Sequence, residues 1–83
     1  MFNIEWKEGA IRQLEKLQSL LSKRILNKIE ELKDNPFLKD IKKLKGEEAF
    51  RLRVGDYRVI FDMNYENNLI TILRLGHRKN IYQ

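Results

Sequence analysis

Arg51, Arg53 and Arg58 are the side chains of this sequence whose type and spacing fit chemistry on a phosphate. They fall in the run from Phe50 to Phe61. Strand residues alternate between faces, so Phe50, Leu52 and Val54 point one way and Arg51 and Arg53 the other. Gly55-Asp56 supplies a turn. On the return strand Val59, Phe61 and Met63 rejoin the apolar side, and Arg58 joins the arginines. Guanidinium groups bind phosphate bidentately, and held in place they stabilise charge developing on non-bridging phosphate oxygens. A solvated sheet face would also carry charge here, but it would not need this alternation.

The flanking sequence must position that hairpin. Phe2, Ile4 and Trp6 alternate with Asn3, Glu5 and Lys7, the pattern of a half-buried strand. From Glu8 the period becomes helical, with Ile11, Leu14, Leu17 and Leu21 on one stripe. Ser22 is a candidate cap for a second helix carrying Ile25, Leu26, Ile29 and Leu32. Asn35-Pro36 ends it, because proline disfavours helical geometry in the preceding residue. A lysine-rich connector follows (Lys39, Lys42, Lys43, Lys45), pinned by Ile41 and Leu44 and readable either as a solvated loop or as an RNA contact. Strands are expected over about 49–54, 57–64 and 69–75, with a polar turn at 65–68. The expected fold is α+β: a two-helix antiparallel pair packed on one face of a mainly antiparallel four-stranded sheet, in the order β-α-α-β-β-β. The other sheet face carries the arginines and is expected to stay open.

Composition narrows the classes. At 83 residues the chain is read as a single domain, 1–83, and a chain of this size buries about 60% of its unfolded surface. The net charge of +5 points to an anionic partner such as nucleic acid, an acidic protein or a membrane surface, unless it serves solubility alone. There is no cysteine and one histidine, which removes disulfides, thiolate sites and a histidine-based zinc centre. No metal or other cofactor is expected. The N-terminus has no apolar signal core and no apolar run approaches membrane-spanning length, so a cytoplasmic location is expected, with no membrane partner.

Three segments resemble the RelE/ParE superfamily of bacterial and archaeal toxins. They are Leu44-Lys45-Gly46, the hairpin from Arg51 to Phe61, and Gly76-His77-Arg78-Lys79-Asn80-Ile81-Tyr82. The ending, with a tyrosine four residues after the arginine, is similar to the short archaeal RelE type. The resemblance implies a toxin of a type II toxin–antitoxin system, a ribosome-dependent endoribonuclease that cleaves mRNA in the A site without a metal. In that chemistry the ribose 2′-OH attacks the adjacent phosphate and a 5′-OH leaves. It implies, as partners, the ribosome, its mRNA and a RelB-like antitoxin in a toxin–antitoxin hetero-oligomer. By position, Arg51 and Arg53 match two basic residues of the first hairpin strand, often lysines in the family. Arg58 matches a phosphate-binding arginine. Arg78 matches an arginine of transition-state stabilisation and leaving-group protonation, and Tyr82 one that orients the nucleotide. Lys43 and Lys45 join Arg51, Arg53 and Arg58 as candidate substrate contacts.

One departure bears on the proton. Arginine does not give up its proton as a perturbed lysine can, so Arg53 is a poor general base. Either positioning and electrostatics activate the 2′-OH, or His77 or the Glu47-Glu48 pair accepts the proton. Strict alternation sends His77 to the face opposite Arg78. Two alternatives remain at this point: a ParE-like inhibitor of DNA gyrase, and a non-enzymatic module that binds RNA or an acidic partner.

Overall fold

In the computed structural model the described residues are 1–36, 40–46 and 48–81. The element order is β1 (Asn3–Trp6), α1 (Glu8–Glu15), α2 (Ser19–Asp34), β2 (Ile41–Lys43), β3 (Phe50–Val54), β4 (Tyr57–Asn64) and β5 (Leu69–His77). The strands form one sheet in the spatial order β1-β5-β4-β3-β2. Pairing is antiparallel throughout except that β1 runs parallel to β5. The sheet therefore has five strands, one more than the sequence pattern suggests. The additional one is β2, where Ile41 and Lys43 in the lysine-rich connector pair with Leu52 and Phe50. Three residues are too few for a periodicity to show.

The apolar stripes meet on one face of the sheet, except that Ile11 and Leu26 stay exposed and Ala10 is the fully buried residue of α1. Ile25, Leu32, Leu52, Val59, Phe61, Ile70 and Ile72 are all fully buried in this core. Burying a side chain of this size contributes about 1.5–3 kcal/mol. Phe50 and Phe61, opposite each other on β3 and β4, stack at 5.6 Å between ring centroids. Helix α1 packs on β5 and α2 on β3, so the two helices contact the sheet more than one another. Helix α2 begins three residues before the expected cap. Ser22 lies inside it, and its hydroxyl donates to the Ser19 carbonyl at 3.0 Å, a back-bond that Ser readily makes within a helix.

The edge strand β1 is tied down at both ends. The Phe2 N–H donates to the Lys33 carbonyl at the end of α2, and the Lys7 N–H to the Ile72 carbonyl. Beyond Trp6 the strand β1 no longer covers β5, and there Gln13 Oε1 of α1 accepts the Leu75 N–H at 2.8 Å. A side chain thus replaces a strand partner.

The second sheet face is not fully open. Ile60, 0% exposed, packs there with Ala49 and Ile81, flanked by Leu44 and Leu73. After β5 the chain turns, with the Asn80 and Ile81 N–H groups both donating to the His77 carbonyl. This turn lays Ile81 across the sheet, its Cδ1 atom 3.4 Å from where a Cβ on Gly76 would lie. The run Val59-Ile60-Phe61 is consequently apolar on both faces. Among the described residues no helix is long and apolar enough to cross a membrane.

Candidate functional site

The hairpin β3–β4 sets two rows of side chains on this second face. One row is Arg53, Arg58 and Gly76, in register across β3, β4 and β5; the other is Lys42, Arg51, Ile60 and Arg74, across β2 to β5. The register follows from the two-residue turn. Gly55 has φ +59, a left-handed conformation that glycine adopts without steric cost. Leu52 and Val54 are buried on the helix side, which directs Arg51 and Arg53 to the other. Arg53 and Arg58 stand directly opposite each other. Like charges in that position oppose folding, so the fold tolerates a repulsion that a purely structural face has no need of.

Neighbouring groups hold the Arg58 guanidinium and lie near those of Arg53 and Arg78. Arg58 Nη1 donates to the carbonyls of Gly55 and Tyr57, both at 2.9 Å, which holds the group against the turn. Its buried Nε makes no hydrogen bond among the described residues. The Arg53 N–H donates to the Asp40 carbonyl at 3.0 Å, and Arg53 Nη2 lies 3.5 Å from Asp40 Oδ1. Arg78 enters from the end of β5. Its N–H donates to the Asp56 carbonyl at 2.8 Å, and its Nε is 3.9 Å from Asp56 Oδ1. Arg53, Arg58 and Arg78 line one open groove of about 650 Å³ at the turn end of the hairpin. Such a cluster can bind an anionic phosphate and stabilise further charge on it.

Other sequence candidates fall elsewhere. Arg51 is half-buried one row away, beside Lys42 and Arg53 around a smaller hollow. Lys43 is opposite Phe50 on the helix side, so it is Lys42 that shares a face with the arginines. Lys45 is exposed in the turn after β2. His77 is opposite Tyr57, also on the helix side, with the two rings edge to face at 5.5 Å, and its Nδ1 accepts the Lys79 N–H at 3.1 Å. It does not join the arginine rows. Glu48 lines a shallow hollow with Lys43 and Phe50, away from the groove. Tyr82 and Glu47 lie outside the described residues. No group of three histidine or carboxylate side chains among the described residues is arranged to hold a metal.

Two kinds of residue escaped the sequence reading. Arg74 reaches the second face because the β4–β5 register shifts at Ile60/Phe61. The signal is in the spacing of the buried positions of β5, which fall two apart from Ile70 to Ile72 and then three apart to Leu75. Arg24 and Lys28 of α2 line the same groove as Arg53 and Arg58. No local pattern marks them, since they read as solvated helix positions.

The model of the ParE toxin of type II toxin–antitoxin systems matches residues 4–82. The candidate toxin RelE1 of Methanocaldococcus jannaschii is 34% identical over 86 residues, covering 99% of this chain and 96% of that one. Among solved structures, RelE in the archaeal RelE–RelB complex of Pyrococcus horikoshii superposes with a TM-score of 0.83 at 28% identity, covering 95% of this chain and 97% of that one. The RelB–RelE complex of Methanococcus jannaschii gives a TM-score of 0.77 at 34% identity, covering 94% of each. The agreement extends over β1, both helices and the arginine hairpin alike, and the chain belongs to the RelE/ParE family of type II toxin–antitoxin toxins.

Proposed function

We propose that the protein is a ribosome-dependent endoribonuclease that cleaves mRNA in the A site and is held inactive by a RelB-like antitoxin. The observation that carries this reading is the convergence of Arg53, Arg58 and Arg78 on one groove, with Arg53 and Arg58 opposed in register despite their like charge. In the reaction, the ribose 2′-oxygen forms a bond to phosphorus and the bond to the 5′-oxygen breaks. The 2′-OH loses its proton to solvent and the leaving 5′-oxygen takes one up, so that the products are a 2′,3′-cyclic phosphate and a 5′-OH. Arg58, braced by two carbonyls, and Arg78 meet the charge on the non-bridging oxygens. Arg53 contributes charge and not basicity. His77 faces the helices, which favours activation of the 2′-OH by positioning and electrostatics. Tyr82 is assigned to orienting the nucleotide, where base–aromatic stacking is worth about 1–3 kcal/mol. The antitoxin assignment rests on the relatives solved as RelE–RelB complexes.

The match to a ParE model favours one second reading, inhibition of DNA gyrase. Primer extension on translating ribosomes separates the two. Breaks inside A-site codons support the ribonuclease, whereas intact message with accumulating gyrase–DNA breaks selects the other. Arg58→Ala and Arg78→Ala should each remove cleavage and toxicity while leaving the fold intact, since neither side chain fills the core. Loss of one such charge-stabilising donor raises the barrier by about 2.7–4 kcal/mol. A folded Arg78→Ala protein cutting ribosome-bound message at the wild-type rate would overturn the assignment.

A further inference from the structure

We propose that Arg24 of α2 is a second phosphate-binding station, taking a flanking phosphodiester of the RNA strand whose reacting phosphate sits at Arg58; this rests on the proposed ribonuclease function. The groove is lined by cations from three parts of the chain: Arg24 and Lys28 of α2, Arg53 and Arg58 of the hairpin, and Arg78 after β5. Three carboxylates share it, and each is engaged by another cation. Asp40 lies 3.4 Å from Lys28 and 3.5 Å from Arg53, Glu31 lies 3.7 Å from Lys28, and Asp56 lies 3.9 Å from Arg78. Among the described residues the two groove guanidiniums with no carboxylate are Arg24 and Arg58, and they flank the Gly55-Asp56 turn.

Gly55 leaves Arg24 room to lie against the turn. A Cβ on Gly55 would lie 3.2 Å from Arg24 Nη2 and 3.7 Å from Nη1, so the guanidinium rests against the bare backbone of the turn. The exposed arginine is thereby set over the hairpin. It does so without the competing ion pairs that occupy Lys28 and Arg53. A ligand with a single charge would be served by Arg58 and Arg78 alone. A chain with an anion on every unit can meet both stations, and single-stranded RNA crossing the turn has that form.

The test measures binding of a 2′-O-methyl RNA decanucleotide, which lacks the attacking hydroxyl, by fluorescence anisotropy across a salt series. Each phosphate contact to a single strand adds about 0.7 to the slope of log K against log salt. Arg24→Ala should lower that slope by about 0.7 and weaken binding severalfold, while a 2′-O-methyl dinucleotide, too short to span the turn, should bind as to wild type. Lys23→Ala, which removes an equal charge from an exposed position of α2 outside the groove, should leave the slope unchanged. Equal binding of the decanucleotide by wild type and Arg24→Ala, undetected binding in both included, overturns the proposal. So does a loss no larger than that of Lys23→Ala, or one seen only toward the RelB-like antitoxin, which would assign the groove to the protein partner. Wild-type cleavage of ribosome-bound message is measured in parallel. If it is absent, the proposed function fails and the salt slope still decides the groove.

Discussion

At the scale of single residues the site is defined by which side of the sheet a charge reaches. Arg53 and Arg58 occupy one row, and the turn carbonyls hold Arg58 where its guanidinium lies against backbone. His77, although adjacent in sequence to Arg78, is on the helix side against Tyr57, with Nδ1 already accepting a backbone N–H. His77→Gln should therefore lower single-turnover cleavage of ribosome-bound message only slightly. Loss of a genuine general base costs about 10²–10⁴-fold. A drop beyond about a hundredfold in a folded His77→Gln protein would show that the histidine takes the proton. The sequence sets His77 on the face opposite Arg78. In the structure it follows buried Leu75 by two residues on the helix side, whereas a strict period of two run from Ile70 would put it on the other face, because the register shift lies between them. Arg74 was hidden by the same rule, since the register shift at Ile60/Phe61 adds a residue that a strict period cannot anticipate.

At the scale of elements the hairpin was legible because its two strands are each decided by burial of Leu52, Val54, Val59 and Phe61. Helix α2 was legible as a helix, but which of its polar residues would face the hairpin turn was not. That choice depends on how α2 is seated on β3, and no residue of α2 alone encodes it. The second small core was hidden too: Ile60 looked like part of an apolar run, and only the returning chain at Ile81 shows what covers it. The link between α1 and β5 is also tertiary. Gln13 Oε1 satisfies the N–H of Leu75, a residue only 1% exposed. Gln13→Ala should leave that donor unpaired and cost about 1–3 kcal/mol, read as a lower urea midpoint with an unchanged slope. Gln13→Glu keeps an acceptor at the same reach and should recover most of the loss. If Gln13→Ala unfolds at the wild-type midpoint, the bond contributes nothing and β5 has another partner there.

At the scale of the molecule, charge is distributed unevenly over a chain of net charge +5. The face formed by Lys42, Arg51, Arg53, Arg58 and Arg74 is continuous with the groove at the hairpin turn, while the helices bury their apolar stripes on the opposite side of the sheet. The RelB-like antitoxin proposed above is expected to restrain the toxin either by occupying that face or by displacing the Tyr82 tail from the site, and the first mode is the one tested. An acidic amphipathic segment suits it, with carboxylates against Arg51, Arg53, Arg58 and Arg78 and with ordering of the segment paid for on binding. Long-range attraction between such surfaces speeds encounter and is screened by salt. Stopped-flow association with the antitoxin should thus slow steeply as ionic strength rises, while the dissociation rate changes less. Arg51→Glu and Arg58→Glu should each reduce the low-salt association rate and flatten its salt dependence; Lys16→Glu, at the end of α1 and away from this face, should do so less. An association rate indifferent to salt, or one reduced equally by all three substitutions, would rule out steering by the arginine face, and an arginine face left unprotected in hydrogen exchange of the complex would rule out its being the covered one.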